Sequence, residues 1–350
     1  MRRGSRFVVI LSALFVVVMV ASSAVSYSLA AKGPKTRWSQ TVLDDTEHFY
    51  VCDIGVGGDY LYALGWIYPS GQSLLFRSAD EGGSWLAPIT LTTGDYPGMC
   101  VYDGGESDVL LITGGYGQVL RSADSGVSWD TLASLPYGYR WATLAIGTNA
   151  SWSGAPVDND IYVVGAADAG WGYQTTMIVS HDDGLTWDAP VVVAPTVYQN
   201  GWCEVLVVGS SIYVAYTLFG NDPDYGAMCM RASSDWGATW TAEKIVATSY
   251  NAGYGVLLKP MSLRYVDGEK VFITMADCTD VGAEDQRAGR WGFISLSDLS
   301  YNQTGSVSWK CGDFAGMILP DGKLAVVYET YLDGNVFPLM FAITKRSILT

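Results

Sequence analysis

Four octets decide how this chain is read: Ser78-Ala79-Asp80-Glu81-Gly82-Gly83-Ser84-Trp85, Ser122-Ala123-Asp124-Ser125-Gly126-Val127-Ser128-Trp129, Ser180-His181-Asp182-Asp183-Gly184-Leu185-Thr186-Trp187 and Ser233-Ser234-Asp235-Trp236-Gly237-Ala238-Thr239-Trp240. All fit S-x-D-x-G-x-[ST]-W, with their Asp residues 44, 58 and 53 positions apart. Repetition at such intervals marks an array of like units. Each octet has the chemistry of a hairpin turn. The short Asp side chain accepts backbone N–H groups within the turn. Gly permits positive φ at the next corner. Ser or Thr ties the turn to the following strand, and Trp supplies a large apolar plate. Asp80, Gly82, Trp85, Asp124, Gly126, Trp129, Asp182, Gly184, Trp187, Asp235, Gly237 and Trp240 therefore read as folding devices, not as catalytic residues.

The octet resembles the Asp box, or BNR repeat, of the sialidase superfamily. That resemblance implies a β-propeller of four-stranded antiparallel blades, the box joining the third and fourth strands. Working outward from each octet gives four blades, with second strands such as Ile161–Gly165 and Ile212–Thr217 and fourth strands such as Leu86–Leu91 and Thr131–Ser134. A fifth blade spans Val256–Ser308, its octet decayed to Ser297-Asp298-Leu299-Ser300. A sixth, Ala315–Thr344, is one strand short, and Arg37–Val42 is expected to complete it. Closing the ring this way removes an exposed sheet edge. The expected fold is all-β, a six-bladed β-propeller of four-stranded antiparallel blades.

Composition agrees with this. The 350 residues are 49% apolar and 16% charged, with 40 Gly, 13 Trp and 22 Tyr. A disordered chain would be poorer in aromatics and richer in charge, and collagen would need Gly at every third place. With 35 acidic against 20 basic residues, net −15, the balance is opposite to that of a nucleic-acid binder.

Arg2, Arg3 and Arg6 precede Phe7–Ala21, apolar except for Ser12, and small residues Ser28 and Ala30 follow at −3 and −1 spacing. These are the parts of a secretory signal. Phe7–Ala31 is also 25 residues without a charge, enough at about 1.5 Å per residue to cross a hydrocarbon core about 30 Å thick. Segment 1–31 is thus a signal peptide or an N-terminal membrane anchor. Residues 32–350 are one propeller, secreted or held at the cell surface, touching membrane only through that first segment. The exported part carries 17 basic and 35 acidic residues, net −18. Sequons at Asn149-Ala150-Ser151 and Asn302-Gln303-Thr304 agree with an exterior location.

In a blade numbered a to d outward from the channel, a–b and c–d turns share one face, and d–a and b–c loops the other. The octets are c–d turns, so a ligand site is expected opposite them, and His181 is a surface turn residue. The loops of that opposite face place aromatics beside acids and amides. The d–a loops hold Asp44–His48, Gly94–Pro97, Tyr137–Arg140, Tyr198–Trp202 and Tyr250–Tyr254; the b–c loops hold Tyr68, Tyr116, Asp168–Tyr173, Asn221–Tyr225, Glu284–Trp291 and Glu329–Asp333. Rings pack the C–H faces of sugars while polar groups bond hydroxyls. Tyr96, Tyr139, Arg140, Trp171, Tyr198, Trp202, Tyr225, Tyr254, Arg287, Arg290 and Trp291 are accordingly the candidate ligand-binding residues. The same rings would also suit a protein-binding patch.

The resemblance further implies a catalytic set: three Arg that clamp a carboxylate, an Asp acid/base, and a Tyr nucleophile paired with a Glu. The family's first Arg belongs to a Phe/Tyr-Arg-Ile-Pro motif at the start of blade 1, where this chain reads His48-Phe49-Tyr50-Val51-Cys52-Asp53-Ile54. The loop Tyr68-Pro69-Ser70-Gly71-Gln72, where the acid would lie, has none. Arg231 directly precedes the fourth octet and reads as support for that turn. Arg287 or Arg290 match the blade 5 Arg loosely, and Tyr331 or Glu329 stand near the nucleophile position. The resemblance covers the scaffold, about residues 36–350, and not the catalytic set, so ordinary exo-sialidase activity is not expected. For another glycoside hydrolase or a polysaccharide lyase, Asp95, Asp168, Asp224, Glu284 and Glu329 are candidate carboxylates and His48, Tyr96 and Arg140 candidate partners. No spacing singles out a pair; Asp95, Glu329 and Tyr331 stand as the catalytic candidates.

No cofactor or metal is expected. Asp222/Asp224 and Asp158-Asn159-Asp160 have the oxygen ligands of a structural Ca²⁺ site, but ordinary turns explain both segments more simply. The six cysteines, at 52, 100, 203, 229, 278 and 311, lack zinc-ligand spacing. Cys52 and Cys100 fall on neighbouring inner strands, so a 52–100 disulfide is one expectation and buried free thiols the other. The reading as a whole is an exported sialidase-like propeller that binds glycan or glycoprotein through its aromatic loop face. An enzyme on the same scaffold and a structural or protein-interaction module are the alternatives.

Overall fold

All four octets close the same hairpin. In the computed structural model Ser78 Oγ donates to Asp80 Oδ1 (2.8 Å) and accepts from Gly82 N (2.7 Å), while Asp80 takes Ser84 N (2.7 Å) and Ser84 Oγ (2.8 Å). The same four bonds recur around Asp124, Asp182 and Asp235. They favour the ionised carboxyl; bonds from Ser128 and Thr239 push Asp124 and Asp235 down to about 2. The residue after each Asp has φ of 55–60°, and the following Gly has φ of 84–86°. Leu299, which follows Asp298, has φ 54°, and Ser300 N donates to Asp298 Oδ1 at 3.0 Å. The fifth blade keeps the turn although its octet sequence has decayed.

The structure describes residues 38–114, 117–132, 135, 139–148, 156–168, 173–194, 201–219, 225–250, 256–267, 269–279, 288–307, 311–330 and 337–349; the expected signal or anchor lies outside them. The strands are β1 (Trp38–Asp44); β2–β5 (Phe49–Val56, Leu61–Ile67, Gln72–Ser78, Ile89–Thr92); β6–β9 (Met99–Asp103, Asp108–Gly114, Gln118–Ser122, Asp130–Thr131); β10–β13 (Arg140–Thr148, Pro156–Asp168, Tyr173–Ser180, Val191–Ala194); β14–β17 (Cys203–Val208, Ser211–Phe219, Tyr225–Ser233, Lys244–Tyr250); β18–β21 (Val256–Asp267, Lys270–Thr279, Ala288–Ser295, Tyr301–Val307); and β22–β24 (Cys311–Ile318, Leu324–Thr330, Leu339–Thr344). Each group of four is one antiparallel blade, and β1 pairs antiparallel with β24 from Trp38↔Thr344 to Asp44↔Leu339 to complete the sixth. Inner strands β2, β6, β10, β14, β18 and β22 touch in that order, and β22 returns to β2. The chain is a closed six-bladed β-propeller.

The buried apolar side chains form six clusters among the described residues, one between each pair of neighbouring blades. The octet glycines belong to these interfaces. A Cβ on Gly82 would overlap Phe341 of blade 6, one on Gly126 would lie 3.1 Å from Leu75 of blade 1, one on Gly184 2.6 Å from Leu132 of blade 2, and one on Gly237 would overlap Met177 of blade 3. Each octet thus docks on the blade before it, and the first docks on the last.

Three expectations are revised. Cys52 and Cys100 are free thiols: Cys52 packs between blades 1 and 2, while Cys100 packs between blades 2 and 3, because they face different inter-blade layers. The segment Asp158-Asn159-Asp160 lies within β11, not in a turn, and the Asp160 carboxylate is 2.9 Å from His181 Nδ1. Arg231 reaches back to Val193 O of blade 3 (2.8 Å) and so ties blades together. His181 is exposed, and its bonds to Asp160 and Asp188 raise its pKa.

Gly105 has φ 88° with open space around its Cβ position, so Gly105→Ala meets only the left-handed backbone cost, about 1–2 kcal/mol. Gly82→Ala adds overpacking against Phe341, about 1–3 kcal/mol more. Urea unfolding of the two variants should separate by that difference.

Candidate functional site

Opposite the octets, the loop ends of the inner strands carry a row of touching rings. Phe337 meets His48 (3.9 Å between centroids), His48 meets Tyr50 (5.2 Å), Tyr50 meets Trp66 (5.4 Å) and Trp66 meets Tyr96 (4.8 Å). Tyr96 then meets Trp202 (6.0 Å), Trp202 stacks on Trp141 (5.1 Å), and Trp141 meets Tyr173 (5.4 Å). The row passes from blade 6 through blade 1, crosses the channel mouth between the entries to blades 2 and 4, and ends on blade 3. Tyr68, half exposed, stands beside His48, Tyr50 and Trp66. Among the described residues, Tyr96 (φ 47°) and Trp141 (φ 51°) are the non-glycine residues with positive φ outside the octet-type turns. Such backbone persists where the surroundings impose it; here it aims both rings at one narrow cavity of about 30 Å³, whose lining includes Val51, Tyr96, Trp141, Trp202, Glu204 and Pro260. That volume holds a water-sized group.

Buried charges adjoin the lining residues Trp202 and Glu204. Lys259 Nζ is 2.7 Å from Asp313 Oδ1 and 4.1 Å from the centre of the Trp202 ring, with both members of the ion pair buried. Arg264 Nη2 bonds Asp53 Oδ1 (2.7 Å) and Ile54 O (2.9 Å), and its Nη1 lies 3.9 Å from Glu204 Oε2. Asp53 also accepts Ile54 N (2.7 Å) and Met99 N (3.1 Å). Burial raises the Asp53 carboxyl, opposed first by Arg264. Burial raises Glu204 well above the usual carboxylate range, and the Asp53 charge adds to this. One guanidinium serves two acids: it bonds Asp53 directly and lies farther from Glu204, so it offsets the burial of Glu204 less. Trp202 Nε1, Glu204 Oε2 and Asp313 Oδ2 are buried without a hydrogen-bond partner among the described residues.

Of the residues expected at a site, Tyr96 and Trp202 line the cavity. Glu329 is buried at the mouth and accepts Val51 N (3.1 Å); Asp95 is exposed. Tyr139 and Trp291 are corrected to core residues. Tyr139 is fully buried behind Gly165 and Ala142, and Trp291 is wedged between Trp38 and Phe314. Arg290 is paired with Asp277. Trp171, Tyr198, Asp222, Asp224, Tyr254, Glu284, Arg287 and Tyr331 lie outside the described residues, as do the side chains of Arg140, Asp168 and Tyr225. No group of three or more His, Cys, Asp or Glu that could hold a metal occurs among the described residues.

Sequence reasoning missed Trp141, Glu204, Lys259, Asp313, Asp53 and Arg264. The signal was available for three of these. Leu258-Lys259-Pro260, Cys203-Glu204-Val205 and Gly312-Asp313-Phe314 each set one charge inside an apolar inner strand, and such charges are almost never buried unless paired.

No family model and no curated protein matches the chain. Solved structures do. A Dyadobacter fermentans protein of unknown function aligns at TM-score 0.62 and 16% identity, over 87% of this chain and 97% of its own. The NanB sialidase of Streptococcus pneumoniae, in complex with 2-[(3-chlorobenzyl)ammonio]ethanesulfonate, gives 0.58 and 11%, over 96% and 72%. The α-L-arabinanase of Penicillium chrysogenum, complexed with arabinobiose, gives 0.57 and 14%, over 92% and 98%. The fold is a sialidase-like propeller. At these identities the likeness is one of fold.

Glu204 gives the site a pH signature. Its folded pKa lies above the unfolded value of about 4.5, so its contribution is full below that value and is lost as pH rises through the folded pKa. Urea midpoints measured across a pH series should fall on the alkaline side for the wild type, and Glu204→Gln should flatten that fall.

Proposed function

We propose that this is an exported carbohydrate-binding propeller whose ligand lies across the aromatic row at the channel mouth. The observation that carries the reading is the unbroken row of rings over a cavity lined in part by Trp202 and Glu204, each with a buried polar atom that has no hydrogen-bond partner among the described residues. Sugar C–H faces pack on aromatic rings, and hydroxyls complete buried donors and acceptors. Two neighbours in fold bear on the same chemistry, one named a sialidase and the other an arabinanase holding arabinobiose. The octets, read as Asp boxes, and the basic-then-apolar N-terminus support an extracellular or cell-surface module whose partner is a glycan or glycoprotein.

Isothermal titration against a glycan panel tests this. Trp141→Ala and Tyr68→Ala should each weaken binding about tenfold, roughly 1.4 kcal/mol, while Leu185→Ser on the octet face should not. A protein that binds no glycan, or variants indistinguishable from wild type, would sink the reading.

One observation favours an enzyme as the second reading. Glu204 borders the cavity with a carboxyl whose pKa is raised by burial, the direction a general acid requires. Release of reducing ends from a polysaccharide, abolished by Glu204→Gln with binding retained, would establish a hydrolase; no release from any polysaccharide bound would remove it.

A further inference from the structure

We infer that Asn302 is a modification site: it carries an N-linked oligosaccharide whose first sugar lies against Phe293, on the outer rim of blade 5. This rests on the export in the reading above, and not on what the aromatic face binds. The first ground is where the triplet Asn302-Gln303-Thr304 sits. It has the spacing that glycan transfer requires, an Asn two residues before a Ser or Thr with no Pro between. Such triplets are frequent by chance, so the setting decides. β21 is the outermost strand of its blade, and Asn302, Gln303 and Thr304 are all exposed. A regular strand sends alternate residues to opposite faces, but the ladder shifts within this triplet. Trp291 pairs with Gly305 and Gly292 with Gln303, which leaves Thr304 as the extra residue of a bulge. The Trp291 ring fills the space that a Cβ on Gly305 would need.

The second ground is what lies beside Asn302. It pairs with Phe293, and residues opposite one another share a sheet face with Cβ atoms about 4.5–5.5 Å apart. Phe293 is half-buried. It meets Phe272 (5.8 Å between centroids) and packs on the apolar cluster between blades 5 and 6. The C–H face of a pyranose on Asn302 Nδ2 has this ring within reach. Asn302 is the second residue of β21 after the turn around Asp298, so the glycan stands at the octet end of the blade and leaves the aromatic row clear. The donor is an oligosaccharide on a lipid phosphate or pyrophosphate outside the cytoplasm. Asn302 Nδ2 bonds its anomeric carbon, the bond from that carbon to the phosphate oxygen breaks, the electron pair leaves with the lipid phosphate, and the amide gives up one proton.

The test uses the full chain recovered from the surface or medium of the cells that make it. Its tryptic peptide Trp291–Lys310, in which Asn302 is the only Asn, is fragmented by mass spectrometry. Asn302 should carry added sugar masses. Asn302→Gln and Thr304→Ala should each abolish them, and Thr304→Ser should keep them. Asn302→Gln should lower the thermal midpoint by about 1–3 °C, and by less than half as much in a Phe293→Thr background. An exported chain unmodified at Asn302 would overturn this inference and leave the carbohydrate reading standing. A chain kept in the cytoplasm would overturn it together with export. Equal shifts with and without Phe293 would overturn the placement of the sugar on that ring. Where a variant does not fold, the wild-type peptide alone decides whether Asn302 is modified.

Discussion

A ring of blades must meet itself, and this one does so through a single strand. β1 lies at the start of the described chain, yet it hydrogen-bonds β24 along its whole length. Without it the sixth blade would end on an open edge, the arrangement that invites pairing with other chains. The closure is reinforced on every level of the seam. Within blade 6 Gln40 Nε2 donates to Tyr328 OH (2.7 Å), and Trp38 meets Trp291 of blade 5 edge-on. Between blades 6 and 1, Phe49 N bonds Phe337 O (3.0 Å) and Gly82 abuts Phe341. Blades 6 and 1 are held in register by these contacts, and the ring row at the channel mouth begins at that seam, where His48 lies on Phe337.

Closure also fixes what the channel can contain. Six inner strands bring their side chains toward one axis, so a charge on one strand finds partners on strands far away in sequence. Arg264 of blade 5 bonds Asp53 of blade 1 and approaches Glu204 of blade 4; Lys259 bonds Asp313 of blade 6. Buried pairs of this kind add little net stability relative to apolar packing but are costly to break singly. Their consequence is local: they fix Lys259 against the Trp202 and Tyr96 rings and place the Arg264 guanidinium nearer Asp53 than Glu204.

The propeller was legible in the sequence to a useful degree because its punctuation is local. An Asp, a positive-φ Gly and a Ser or Thr within eight residues form a turn by bonds among themselves, wherever the rest of the chain goes. The decayed octet at Asp298 shows the limit of such reading: the φ of Leu299 preserves the corner after most of the signature residues are gone. The site was legible only as a face. Loop counting put Tyr96, Trp202, Tyr139 and Trp291 on one face; in the structure Tyr96 and Trp202 line the cavity, whereas Tyr139 and Trp291 are packed into the core. Loop membership does not tell which way a ring points. That depends on whether a neighbouring blade offers a slot, as Gly165 does for Tyr139.

What the sequence determined by itself was therefore everything set by near neighbours: the turns, the strand alternation, the number of blades, the need for an N-terminal strand to fill the last one, and the face that carries the aromatics. Only the tertiary structure decided the rest. It placed Cys52 and Cys100 in different inter-blade layers, paired Lys259 with Asp313 and Arg264 with Asp53, and buried Glu204 at the edge of the cavity, where burial raises its pKa. The physical reason is the same in each case. Burial and pairing across a channel depend on residues from opposite sides of the ring, and nothing in the local sequence of one inner strand records which charge the strand across the axis will bring.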